Sequence, residues 1–322
     1  MEPLVFEPLL KRIRWGGRLL GEELDKPIGP ETDYAESWEI ADQPGDQTVV
    51  AAGEFAGLTL AEVIAARPAA VLGRHAELTQ FPLLIKFLDA NDWLSLQVHP
   101  NDEQALHYDP HGRGKTEAWI ILHAEPDSQI CAGLKSGVSQ DDFERALHDG
   151  RVEETLNMIP ARAGDCVFVP ARTVHALGPG ILLAEIQQQS NITFRLHDWG
   201  RMGSDGQPRP LHIEESLACI DFDAGPVGPV QPVELSDGQH HFEELVRSDY
   251  FVIRRHQAVD QFTLTLDDRF RILIVLEGAA QINTSNGQVT LTKGRTALIP
   301  AAVGSAQIEP GKSVTLLEVL HP

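Results

Sequence analysis

The chain has 322 residues, enough for two units with a sizeable core each, and its 42% apolar and 23% charged content is that of a globular protein. No apolar run approaches the ~20 residues that span a bilayer, which argues against a membrane role. With 26 Lys and Arg against 47 Asp and Glu, the net charge of −21 repels nucleic acid, yet a local cluster of basic side chains still suits a small phosphorylated substrate.

The opening MEPLVFEPLLKRIRWGG carries early acidic residues and no small-residue cleavage site, so it reads as mature protein. Arg14 to Gly17 is a turn with an aromatic anchor, and Glu36 to Ala41 alternates as a half-buried strand does. Trp15 and Trp38 are core by default, with the wall of a sugar site as the functional reading. Residues 59 to 72 predict a helix capped by Thr59 and ended or kinked at Pro68. FPLLIKFLDA is a buried strand.

LSLQVHP follows. Its Leu94, Leu96 and Val98 alternate with Ser95, Gln97 and His99, so the three polar residues share one face. A polar inner face is costly unless it binds something. In GKTEAWIILHA, Lys115 and Glu117 point the same way by the same period. Ser139 with Asp142 starts a helix over 141 to 148 that Gly150 stops, and Val152 to Met158 is expected as a second short helix. CVFVPARTVHALG is strand, turn and strand, and LLAEIQQQSNITFRLHDWGR continues the β pattern with Glu185 and Arg195. A short helix lies in IEESLACI.

Asp223 to Gly238 is rich in Pro and Gly and reads as a linker, followed by short strands that favour a sandwich or small barrel. ARAGDCVFVPARTVHALG has an echo in LTKGRTALIPAAVGSAQI, with the histidine replaced by Gly304 or Ser305. His240, His241, His256 and His321 show no partners at useful spacing, so the second unit is expected to be a related barrel without a metal. Cys131, Cys166 and Cys219 form no C-x-x-C, which points to a reducing cytoplasm rather than to disulfides.

Gln97, His99, Glu117 and His175 together make a ligand set for a borderline divalent ion such as Zn²⁺, with a position left for water or substrate. Singly, each has a plainer reading: a strand histidine is usually hydrogen-bonded core, and Glu117 has Lys115 to pair with. His107, His111 and His123 keep the plain reading.

QVHPND, GKTEAW, VPARTVHALG and EIQQQSNITFRLHDWGR, with RWGG and ESWEIAD upstream, resemble the type I phosphomannose isomerases in their short bacterial form. The likeness covers most of residues 1 to 220 and, more loosely, the rest. It implies a mainly β fold, with two cupin-type jelly-roll barrels in tandem and a few short helices. A metal-binding catalytic domain would span 1–225, and a degenerate cupin-like domain without metal 240–322. It further implies one Zn²⁺ per chain on Gln97, His99, Glu117 and His175. Arg195 would sit at the family's active-site arginine and Lys115 at its motif lysine; the chemistry then asks Lys115 to join proton transfer and Ser95 and Glu185 to bind substrate, with a base or a structural group as the other readings of Glu185. The implied reaction interconverts mannose 6-phosphate and fructose 6-phosphate through a cis-enediol, in a cytoplasmic monomer or homodimer. The chain departs from the pattern at His197 and Trp199, where relatives often carry Tyr, and in its short helical insert. A non-catalytic sugar-binding or regulatory cupin is the alternative; it would need neither Arg195 nor Lys115. A metal-dependent oxygenase on the same fold would not be expected to use a Gln ligand.

Overall fold

A computed structural model describes residues 1–202, 206–238 and 240–322. The chain is mainly β with a few short helices, as expected. Its first part holds two large antiparallel sheets, beside two small two-stranded ones. One has six strands in the order 166–169, 117–124, 181–188, 83–90, 34–40 and 9–17. The other has five, in the order 156–160, 129–134, 175–177, 96–98 and 194–197. Leu88, Trp119 and Leu183 of the first pack in one apolar cluster with Ile130, Ala132 and Leu177 of the second, so the sheets face each other.

The C-terminal part is an eight-stranded sheet built around the long strands Arg271–Thr284 and Ser305–Leu320. It covers the other face of the six-stranded sheet. Phe251, Phe270, Ile272, Leu317 and Val319 join Leu83, Ile85, Phe87, Ile120 and Ile186 in a single core. The strands Leu83–Ala90 and Ile181–Gln188 are therefore buried at every position. The same sandwiching corrects the half-buried expectation for Glu36 to Ala41. The strand Tyr34–Ile40 is buried on both faces apart from partial exposure of Glu36.

Thr59 does cap its helix, in a reciprocal box with Glu62. The helix Leu60–Ala66 stops at Arg67, and Pro68 opens the next, Pro68–Leu72, where its missing N–H costs nothing. Ser139 caps the helix Gln140–His148 as predicted. The helix expected over Val152 to Met158 is not formed: a single 3₁₀ turn, Val152–Thr155, gives way to the strand Leu156–Pro160. Pairing of that strand with Gln129–Leu134 overrides the local helical pattern. The linker expectation holds only in part, because Val233–Asp237 is an edge strand and Val230 N–H donates to Cys166 O at 2.8 Å.

The internal echo has a structural counterpart. Cys166–Val169 and Thr296–Ile299 are strands that follow Gly164 and Gly294, both with positive φ. Each strand ends at a proline, and the next strands open at His175 and Ser305. The C-terminal histidines are not all isolated, however. His240 Nε2 lies 2.8 Å from His256 Nδ1, and His256 Nε2 lies 3.3 Å from Glu318.

Candidate active site and metal centre

Strand register brings the expected residues together. Gln97 is the cross-strand neighbour of His175 on one side and of Arg195 on the other, so all three side chains share the inner face of the five-stranded sheet. Opposite them, Glu185 neighbours Lys86 and Trp119, and Glu117 lies two residues from Trp119 on that face. The two faces meet in a cavity of about 280 Å³.

His99, Glu117 and His175 are fully buried, and their ligand atoms lie within 4.8 Å of one another; no other such group occurs among the described residues. His175 Nε2 is 3.4 Å from Glu117 Oε1, and His99 Nε2 is 3.7 Å from Oε2. Each imidazole is oriented from behind: His99 Nδ1 faces Ile192 O and His175 Nδ1 faces Thr173 O, both at 2.8 Å. A proton on each Nδ1 leaves the Nε2 lone pairs aimed inward. Gln97 Nε2 lies 3.2 Å from His175 Nε2. Lys115 Nζ sits 2.6 Å from Glu117 Oε2 and 3.0 Å from His99 Nε2. Glu117 Oε1, by contrast, is buried without a hydrogen-bond partner.

The environment keeps the imidazoles neutral. Burial, then the Lys115 charge, pushes His175 down to about 4 and His99 well below its ordinary value. Burial also raises Glu117, against the pull of Lys115. Glu185 is equally buried, but Lys115, Lys86 and the Trp119 Nε1 hydrogen bond at 3.0 Å hold its carboxyl low. Burial would lower Lys86, yet Glu36 and Glu185, each 3.4 Å away, keep it raised.

Of the remaining expected residues, Ser95, Lys115, Glu185 and Arg195 all line the cavity. Arg195 is half-buried. Its Nη1 donates to Pro210 O at 3.0 Å, and its Nε is buried without a partner. Burial and the charge of Arg209 lower its pKa. Trp15 joins the wall, whereas Trp38 packs in a small core with Ala41 and Leu84. His197 and Trp199, the positions of departure, stack edge to face outside the cavity lining.

Sequence reasoning passed over Lys86, Glu36 and Arg209, which also line the cavity. Lys86 left a readable trace as the lone charge amid PLLIKFL. Arg209 had none, because its approach depends on how residues 206–212 fold back, with His212 N–H donating to Arg195 O at 2.8 Å.

Comparison with known proteins agrees with this geometry. Residues 5–113 match the family model of the phosphomannose isomerase type I catalytic domain, and residues 241–317 that of the mannose-6-phosphate isomerase cupin domain. The mannose-6-phosphate isomerase of Streptococcus mutans is 33% identical over 96% of this chain and 95% of its own length. The ManA enzyme of Bacillus subtilis, of the same name, is 32% identical over 96% of both. A crystal structure of the mannose 6-phosphate isomerase from Bacillus subtilis superposes with a TM-score of 0.91 at 28% identity, covering 99% of each chain. A buried His/Glu/His centre between two β-sheets, with family likeness running through both parts of the sequence, leads to one conclusion: this chain is an isomerase and belongs to the type I phosphomannose isomerase family.

Proposed function

We propose that the chain interconverts mannose 6-phosphate and fructose 6-phosphate, moving a proton between C1 and C2 through a cis-enediol, with one Zn²⁺ per chain. Residues 1–225 carry the chemistry in this reading, and 240–322 form a cupin-like unit without a metal. The observation that carries it is the convergence of two inward Nε2 lone pairs on a buried Glu117 whose Oε1 has no hydrogen-bond partner and whose Oε2 is held only by the Lys115 ammonium. That donor set fits zinc: two neutral imidazoles, one carboxylate, and Gln97 as a weak fourth ligand once its amide, which turns Nε2 toward His175 here, presents its oxygen. When bound, the ion supplies a Lewis acid that stabilises charge developing on the substrate oxygens.

The chain's own residues supply the rest. Ile192 O and Thr173 O fix the imidazole tautomers. Arg195 offers its planar fork to the phosphate or the enediolate. Lys115, at the cavity edge beside Glu117, takes part in the proton transfer. Glu185, kept ionised by Lys86 and Lys115, accepts hydrogen bonds from sugar hydroxyls, and Ser95 donates from the opposite wall. Trp15 gives the sugar an apolar surface.

Metal analysis combined with an isomerase assay on mannose 6-phosphate tests the proposal. One zinc per chain, turnover lost on chelation and regained with zinc, is the expected result. A chain that binds zinc but leaves mannose 6-phosphate unchanged would be a sugar-binding cupin, and the proposal would fall.

A further inference from the structure

Behind the metal-binding residues, outside the cavity, three chain segments are tied at one side chain. Gln188 is buried at the end of the strand Ile181–Gln188. Its backbone N–H donates to Thr116 O at 3.1 Å, and its Oε1 accepts the Thr116 N–H at 2.9 Å. Its Nε2 donates to Asp102 Oδ1 at 3.0 Å, and the same oxygen accepts the Gly114 N–H at 2.7 Å. Thr116 adjoins Glu117, and Asp102 lies three residues after His99. The two segments touch backbone to backbone: a Cβ on Gly114 would lie 2.6 Å from Asp102 N. Four residues beyond Gln188, Ile192 O receives His99 Nδ1. Neither Gln188 nor Asp102 lines the substrate cavity; both face a separate pocket shared with Tyr250 and His321 of the C-terminal part.

We propose that Gln188 is a positioning residue for the metal centre: its side-chain amide clamps the Glu117 segment to the His99 segment and sets the gap between their ligand atoms, with Asp102 as its anchor. A buried amide satisfied on both sides holds one rotamer, and the ligands inherit that fixity. The inference rests on the zinc reading above.

Partners that orient metal ligands typically cost 10- to 100-fold in metal affinity when removed. Gln188→Met keeps the volume and deletes both hydrogen bonds. Zinc affinity of the full-length variant, measured by competition with a chromogenic chelator, is expected to fall about 10- to 100-fold. Saturating zinc is expected to recover most of kcat. Asp102→Ala, which removes the accepting oxygen at an exposed position, is expected to weaken zinc in the same direction by less. A merely structural role would lower thermal stability with zinc affinity unchanged, and that result in both variants overturns the proposal. Should Gln188→Met fail to fold, Asp102→Ala decides alone, and affinity within twofold of the parent overturns it. If the parent chain binds no zinc, the metal reading fails and this one with it. Tight binding by the parent and unchanged binding in the variants sinks the positioning role alone.

Discussion

Arg195 lies in an environment that favours an anion. Its Nε has no partner, its neighbour Arg209 is cationic, and burial works against its own charge. A phosphate or enediolate oxygen would relieve all three. Arg195→Ala is therefore expected to lower kcat/KM by about 10²- to 10³-fold while zinc content stays at the parent level; full activity in that variant would remove its role. The buried histidines set a second expectation, for the metal-free chain. His175 has a folded pKa of about 4, and His99 lies well below its ordinary value, so the folded state binds fewer protons than the unfolded one. Stability then falls as pH drops from about 6.5 toward 4, by up to about 1.4 kcal/mol per pH unit for each imidazole. Glu117 has the opposite sign, since its raised carboxyl takes up a proton more readily when folded. Asp89, raised to about 6 by burial, adds to Glu117, and His240, lowered to about 4 by burial, adds to the two imidazoles, so three imidazoles outweigh two carboxyls. The urea midpoint of chelator-treated protein should fall across that window, and less steeply in His175→Gln. A midpoint that climbs on acidification contradicts the assignment.

At the level of elements, the sequence was most readable where local chemistry decides. Thr59 and Glu62 make a capping box that no distant contact is needed to explain. Thr59→Ala should cost about 1 kcal/mol of unfolding free energy with kinetics unchanged, since the helix Leu60–Ala66 does not line the cavity; a change in KM would show that the cap reaches the site. Period two placed Ser95, Gln97 and His99 on one face, and lining Ser95 and Gln97 along the cavity required only the strand pattern. Legibility failed where tertiary pairing decides. Residues 156–160 carry no strong strand signal and become a strand because Gln129–Leu134 offers an open edge. The strand Tyr34–Ile40 alternates on paper, yet both its faces are covered, a fact held in the distant Phe251 to Val319 region. Arg209 reaches the cavity through a fold-back that no local pattern encodes.

Across the whole molecule, the C-terminal sheet is part of the core that supports the site. Phe251, Phe270, Ile272, Leu317 and Val319 fill the outer face of the sheet that carries Lys86, Glu117 and Glu185. A chain cut after residue 225 would expose that face, and it is expected to be recovered as aggregate, without a cooperative melting transition. Soluble, zinc-binding material from such a truncation would show instead that the first part stands alone. The same closure reaches the other terminus, where Leu4 pairs with Leu298 and both of its backbone hydrogen bonds are 2.8 Å. That pairing has a consequence for biosynthesis. At about 5–20 residues per second, the ribosome needs roughly 15–60 s after making Leu4 to deliver its partner. During that interval the backbone groups of Leu4 stay unpaired, while Phe6–Glu7 just after it can already pair with Val49–Val50, so the exposed backbone left at this end for a holding chaperone to cover is confined to the residues around Leu4.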